Sequence, residues 1–177
     1  MTNSPDWLPD LVLFQAYGGD WERYLQALYA YFTQDFINSR PRFEGAPIAL
    51  KRHPVIQGKE ATFWHLISEG EREGDRLPDL RRCERIRWPR PVIEHTAEPD
   101  IKVWENKRGN EKRICLWLEC AEYLVILARR KGYVLIWTAF PVTETHRKRK
   151  LQREYEAYQK ADADPKAGIV TPSTHGR

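Results

Sequence analysis

With 177 residues, 41% hydrophobic and 31% charged, the chain can bury a sizeable single core, and it contains no uninterrupted apolar stretch long enough for a membrane span. Lys and Arg number 29 against 25 Asp and Glu, so the formal net charge is only +4, and any hint of an acidic partner lies in where the cations cluster. Cys83, Cys115 and Cys120 lack CxxC spacing and His53, His65, His95, His146 and His175 lack HExxH spacing, which argues against a disulfide framework, a metal centre or any cofactor.

The opening Met1-Thr-Asn-Ser-Pro-Asp has no basic leader followed by an apolar run, so a cytoplasmic protein without a membrane association is expected. Residues 20–37 place Trp21, Tyr24, Leu25, Leu28, Phe32 and Phe36 at three- and four-residue spacing behind Asp20, which predicts a helix capped by that aspartate. A Pro/Gly-marked loop over 40–47 leads into an expected strand over 48–56, and a short helical or irregular segment then carries Phe63, Trp64 and His65. Residues 68–78, rich in Glu, Gly, Asp and Arg, read as an exposed loop. Residues 79–88 read as a short helix stopped by Pro89 and Pro91.

From Ile101 onward the pattern changes to strands: 101–107, 112–118, 122–129 and 133–140, with turns at Arg108-Gly109-Asn110 and Lys131-Gly132. Connections this short imply an antiparallel meander. Near-continuous apolar residues over 124–128 and 133–140 imply strands covered on both faces, with the N-terminal helix on one of them. A surface helix over 143–160 carries Leu151, Tyr155 and Tyr158 on one stripe, and 161–177 reads as a disordered tail. The expected fold class is α+β: a four-stranded antiparallel meander, plus one short earlier strand, packed by an N-terminal helix and flanked by a basic C-terminal helix, forming one domain over residues 1–160.

Two basic clusters stand out. Arg76, Arg81, Arg82, Arg85, Arg87 and Arg90 fall within one short stretch, and His146, Arg147, Lys148, Arg149 and Lys150 open the last helix. Cations at a helix N-terminus oppose the macrodipole and its outward N–H groups, so an anion such as a nucleic-acid phosphate would relieve both. A solvated basic surface explains the same run.

The order of helix, strand, helical insert and four-stranded meander is similar to that of the barnase/EndoU/colicin/RelE group of small metal-independent ribonucleases. The segments GKEATFWHLISEG, PDLRRCERIRWPRPVIE, VWENKRGNEKRICLWL and YLVILARRKGYVLIWTAFPVTETHRKRKL look like those of phage- and mobile-element-associated proteins assigned to that group. The resemblance spans about residues 48–158. It implies a toxin or defence ribonuclease acting on RNA, with an antitoxin or immunity protein as a further partner. It also implies a histidine after the first strand, here His65, basic residues on the insert and meander, here Arg82, Arg85, Lys107 and Arg113, a hydroxyl near the end of the last strand, here Thr138, and a second histidine, here His146.

The chemistry can be stated without the resemblance. Metal-independent cleavage of RNA uses the 2′-hydroxyl as nucleophile and needs a base, an acid and cations at the phosphate. His65 and His146 are the candidate base and acid, since histidine holds both protonation forms near neutrality. Lys107 and Thr138 complete the candidate catalytic set, and Trp64, Arg82, Arg85, Arg113, Arg147 and Lys148 are the candidate nucleic-acid contacts, with Trp64 available to stack on a base. Each has an ordinary alternative: packing for His65, a helix cap for His146, a cross-strand ion pair for Lys107, a plain strand residue for Thr138. Two other functions fit. One is a non-catalytic nucleic-acid- or protein-binding phage module, and the other is a metal-dependent restriction-type nuclease using Glu105 and Lys107.

Overall fold

The computed structural model describes residues 4–164. Helix α1 (Trp21–Phe32) begins where the spacing predicts, and the Asp20 carboxylate accepts from the Arg23 backbone N–H at 3.2 Å. It buries Tyr24, Leu25, Leu28 and Phe32, and each such apolar side chain stabilises the fold by about 1.5–3 kcal/mol relative to exposure. The chain then widens into a π-helical turn, Thr33–Asn38, that adds Phe36 to the same buried stripe. The Ser39 hydroxyl terminates it by donating to the carbonyls of Gln34 and Asp35 at 2.8 and 2.9 Å.

Strands β1 (Arg42–Phe43) and β2 (Ala46–Ala49) follow, so the strand expected over 48–56 is in fact short and ends at Ala49. Its continuation is taken over by Thr62. The Lys51 N–H donates to Thr62 Oγ1 at 2.7 Å, and the Thr62 N–H donates to the Lys51 carbonyl at 2.9 Å. Both backbone groups of Lys51 are thereby satisfied by the first turn of α2 (Ala61–Ile67) instead of by a neighbouring strand.

The segment 68–78 is not the open loop its composition suggests. Strands β3 (Ser68–Glu69) and β4 (Leu77–Pro78) pair across a 3₁₀ turn at Glu73–Asp75, and the Arg76 guanidinium donates to the carbonyls of Gly70 and Ser68 at 2.7 and 2.8 Å. Gly70, at φ 143°, permits the fold-back, because a Cβ there would stand 3.0 Å from Arg76 Cα. Helix α3 (Leu80–Glu84) is capped by Asp79, whose carboxylate accepts from the N–H groups of Arg81 and Arg82 at 2.8 and 3.2 Å. The helix expected to run to residue 88 ends early. Pro89 and Pro91, expected to stop it, instead open α4 (Pro89–Glu94), since proline suits a first helical turn whose N–H groups need no partner.

Strands β5 (Ile101–Arg108), β6 (Glu111–Leu118), β7 (Tyr123–Arg130) and β8 (Tyr133–Pro141) pair antiparallel with their sequence neighbours. Strand β8 also pairs parallel to β2, which gives one sheet in the order β1-β2-β8-β7-β6-β5. The protein is thus of mixed α+β class. Alternation divides the sheet residues into two groups. One face joins Leu116, Val125, Leu127 and Ile136 to Leu28 and Phe32 of α1 and Phe63 of α2. The other face buries Trp104, Cys115, Trp117, Leu124 and Val142 beneath Leu151, Tyr155 and Tyr158 of α5 (Thr145–Ala163).

A bulge breaks the β7/β8 ladder: Ile126 faces Thr138 and Leu127 faces Ile136, leaving Trp137 without a partner. The tail expected from residue 161 starts later, because α5 continues through Ala163, and 165–177 lie outside the described residues. No helix among the described residues is long and apolar enough to cross a membrane.

Candidate active site

Three consequences of the fold meet at one place. Helix α2 delivers His65, the β3/β4 hairpin delivers Glu73 and Arg76, and the bulged strand β8 delivers Trp137 and Thr138 to the wall of the same cavity. With Lys51 and Arg82, these residues line a volume of about 350 Å³. His65 Nε2 lies 2.9 Å from Glu73 Oε1, and the Lys51 ammonium donates to the same oxygen at 2.6 Å.

The two ionisable partners decide the tautomer. Although burial alone would raise the Glu73 carboxyl, hydrogen bonds from Lys51 and His65 outweigh it and hold the group below the ordinary carboxylate range. An ionised carboxylate can only accept, so His65 Nε2 carries the proton and Nδ1 carries the lone pair. No hydrogen bond engages that Nδ1 among the described residues. Burial pulls the His65 imidazole below its ordinary value, the Glu73 hydrogen bond opposes this, and the Arg76 charge adds to it. At neutral pH the ring is therefore an uncharged base oriented by an anion.

Cations complete the wall. Arg82 Nη1 lies 3.4 Å from Thr138 Oγ1 and 3.5 Å from the His65 carbonyl, with its guanidinium 5.0 Å from the Phe140 ring centroid. Arg76 Nη2 and Thr138 Oγ1 reach the same carbonyl at 3.5 and 3.4 Å. These donors occupy the carbonyl end of α2, where positive charge complements the helix dipole. Arg76 keeps one buried N–H, at Nε, without a partner.

The titration of His65 has a definite sign. Its folded pKa is depressed, so the unfolded chain binds the proton more readily; the resulting stability is complete above about pH 6.5 and is lost as pH falls through the folded value. In ¹H–¹⁵N spectra the His65 ring is expected to titrate below the ordinary histidine range. Glu73→Gln should move it lower still, since it removes the charge that raises the ring's pKa. A midpoint unchanged in Glu73→Gln would show that the carboxylate does not govern the ring.

Of the residues singled out in the sequence, His65, Thr138 and Arg82 converge here. Lys107 and His146 do not. Lys107 is exposed near the end of β5, the strand at the far edge of the sheet, which lies three places from β8 or roughly 14 Å at ordinary strand spacing. The His146 side chain is 80% exposed and lies 3.7 Å from Glu144. Trp64 donates to the Ile56 carbonyl at 3.0 Å and lines a separate hollow behind Glu73 and Arg76. Arg85 stacks 4.9 Å over Trp88 and donates to the Arg81 carbonyl.

The opening of α5 supplies its own anions: Arg147 pairs with Glu144 at 2.6 Å, and Lys148 pairs with Glu122. The two basic clusters nevertheless meet. Arg81 Nη2 donates to Thr143 Oγ1 at 3.0 Å, and Arg81, Arg82 and Arg147 border one small polar hollow. Arg113 lies 4.9 Å from the Trp137 ring centroid. Glu105 is held by Arg129 at 2.6 Å, with Asp100 five positions away along an extended strand, and no cluster of three or more His, Cys, Asp or Glu suited to a metal occurs among the described residues. Burial raises the thiols of Cys83 and Cys115 to about 12, leaving both as inert packing groups.

Lys51, Glu73 and Arg76 were not recognisable as site residues from the sequence. Only Gly70, which marks a fold-back within a charged stretch, could have pointed to Glu73 and Arg76. No family model, curated protein or solved structure matches the chain.

Proposed function

We propose that the protein is a metal-independent ribonuclease, and the observation that carries this reading is the His65–Glu73 pair set inside a cation-lined cavity. His65 Nδ1 accepts the proton of the 2′-hydroxyl, and the freed oxygen attacks the adjacent phosphorus. Arg82 and Arg76 offset the charge that grows on the non-bridging oxygens. The Lys51 ammonium gives its proton to the departing 5′-oxygen, so the products are a 2′,3′-cyclic phosphate and a 5′-hydroxyl. Glu73 holds the ring in the reactive tautomer and stabilises the imidazolium that forms. Compared with the set expected from sequence, His65 and Thr138 keep their places, while Lys51 takes the acid role in place of His146, and Lys107 is left outside.

A second reading, RNA binding without cleavage, draws support from the guanidinium groups of Arg76 and Arg82, which already donate to carbonyls of their own chain. One assay separates the two. Incubated with single-stranded RNA in excess EDTA, the protein is expected to yield fragments ending in a 2′,3′-cyclic phosphate. Salt-dependent binding with intact RNA would establish the binding module instead. Cleavage that appears only with added magnesium would reject the metal-independent reading.

A further inference from the structure

A second cavity, about 310 Å³, opens between the α5 side of the sheet and the first three turns of α5. Its floor is apolar, formed by Leu124, Ile126, Phe140 and Val142 with Leu151 from the helix. Arg108, Arg113, Arg147 and Lys150 stand around it. Arg113 and Arg147 have carboxylate partners in Glu111 and Glu144, whereas Arg108 and Lys150 have no ion pair among the described residues. An apolar floor under a cationic rim suits a flat, largely apolar body that carries an anionic group.

Two acceptors inside are unused. Asn106 Oδ1 is buried with no hydrogen-bond partner, which is unfavourable unless a donor arrives. Glu154 spends Oε2 on Asn106 Nδ2 and Trp104 Nε1, at 3.1 and 3.3 Å, and its Oε1 receives no hydrogen bond among the described residues. The pocket adjoins the His65 cavity. Phe140 lines both, and Trp137 on the wall of the first holds Arg113 on the rim of the second against its ring.

We infer that this pocket binds the base of the nucleotide next to the cleaved phosphate, and that the base is guanine. Guanine presents adjacent N1–H and N2–H donors, which answer an amide oxygen and a carboxylate oxygen together. Uracil presents one N–H between two carbonyls, which a carboxylate repels. The location beside a cleaved phosphate rests on the ribonuclease reading; occupancy of the pocket does not, and it can be measured without cleavage.

The test titrates the full chain, in EDTA, with guanosine 5′-monophosphate, uridine 5′-monophosphate and inorganic phosphate, following the methyl signals of Ile126, Val142 and Leu151. The guanine nucleotide is expected to shift these methyls and to bind about 10-fold or more tightly than the uridine nucleotide, while phosphate alone leaves them in place. Asn106→Ala should abolish the preference. Because Asn106 also braces Glu154, Glu154→Gln is the second variant, and it should reduce the preference at unchanged melting temperature. Equal binding of the two nucleotides overturns the guanine assignment, and absence of methyl shifts with either overturns the pocket. The ribonuclease reading fails separately, if guanosine monophosphate binds as described and RNA stays intact. It stands alone if RNA is cleaved and the nucleotide does not bind.

Discussion

His65→Ala is expected to slow RNA cleavage by about 10²–10⁴-fold, the usual contribution of a general acid–base group, with RNA affinity and melting temperature nearly unchanged. The expectation follows from position. The ring lies on the wall of an open cavity, its hydrogen-bond partner Glu73 is itself substantially exposed, and Glu73 keeps the Lys51 ion pair when the ring is removed. A neutral imidazole also adds little to phosphate binding, so affinity should survive. Single-turnover cleavage, fluorescence-anisotropy binding and thermal melting on one preparation separate the outcomes. A drop of several degrees in melting temperature, with cleavage falling only in proportion to folded protein, would make His65 a packing residue and remove the proposed base.

The largest loss of stability is expected from Phe32→Ala, about 3–5 kcal/mol in urea unfolding. Phe32 is fully buried on α1, and its ring centroid lies 5.8 Å from Phe36 and 5.4 Å from Phe63. Phe63 precedes His65 by two residues on α2, so the cavity left by the substitution also loosens the element that aims the ring. Phe32→Leu, which leaves a smaller void, should cost less than Phe32→Ala. A loss below about 1 kcal/mol for Phe32→Ala would mean that α1 is not anchored in the core as described.

Helix α1 is legible in the sequence because its pattern is local: a capping aspartate and apolar residues at helical spacing suffice, and Tyr24, Leu28 and Phe32 face inward as that spacing requires. The limits of β5 to β8 are legible for a similar reason, since alternation and Gly-marked turns sit within a few residues of each other. The site is legible only in part. His65, Arg82 and Thr138 stand out as a histidine among aromatics, an arginine in a cluster and a hydroxyl in an apolar strand. Glu73 does not stand out, because a carboxylate in a Glu/Gly/Asp/Arg-rich stretch looks solvated, and only the turn of the chain at Gly70 brings it to His65. Lys51 is equally hidden, since its place depends on Thr62 drawing the chain out of the sheet. His146 and Lys107 misled for the opposite reason: they have the right chemistry, but sheet order and helix direction place them elsewhere.

The parallel pairing of β2 with β8 joins Ile48 to Val134 and Ala49 to Leu135, so the two strands beside the cavity come from distant parts of the chain. Most of the molecule must be synthesised and folded before that loop can close, and its closure entropy is met only by contacts that form late. Lys51, His65 and Glu73 leave the ribosome well before Trp137 and Thr138, and Arg82 has neither Phe140 nor the Thr138 hydroxyl to rest on until β8 is in place. A nascent chain that stops short of β8 therefore holds every charged group of the cavity without the wall that gathers them. The half-made protein carries the chemistry in pieces, and the last strand of the sheet assembles it.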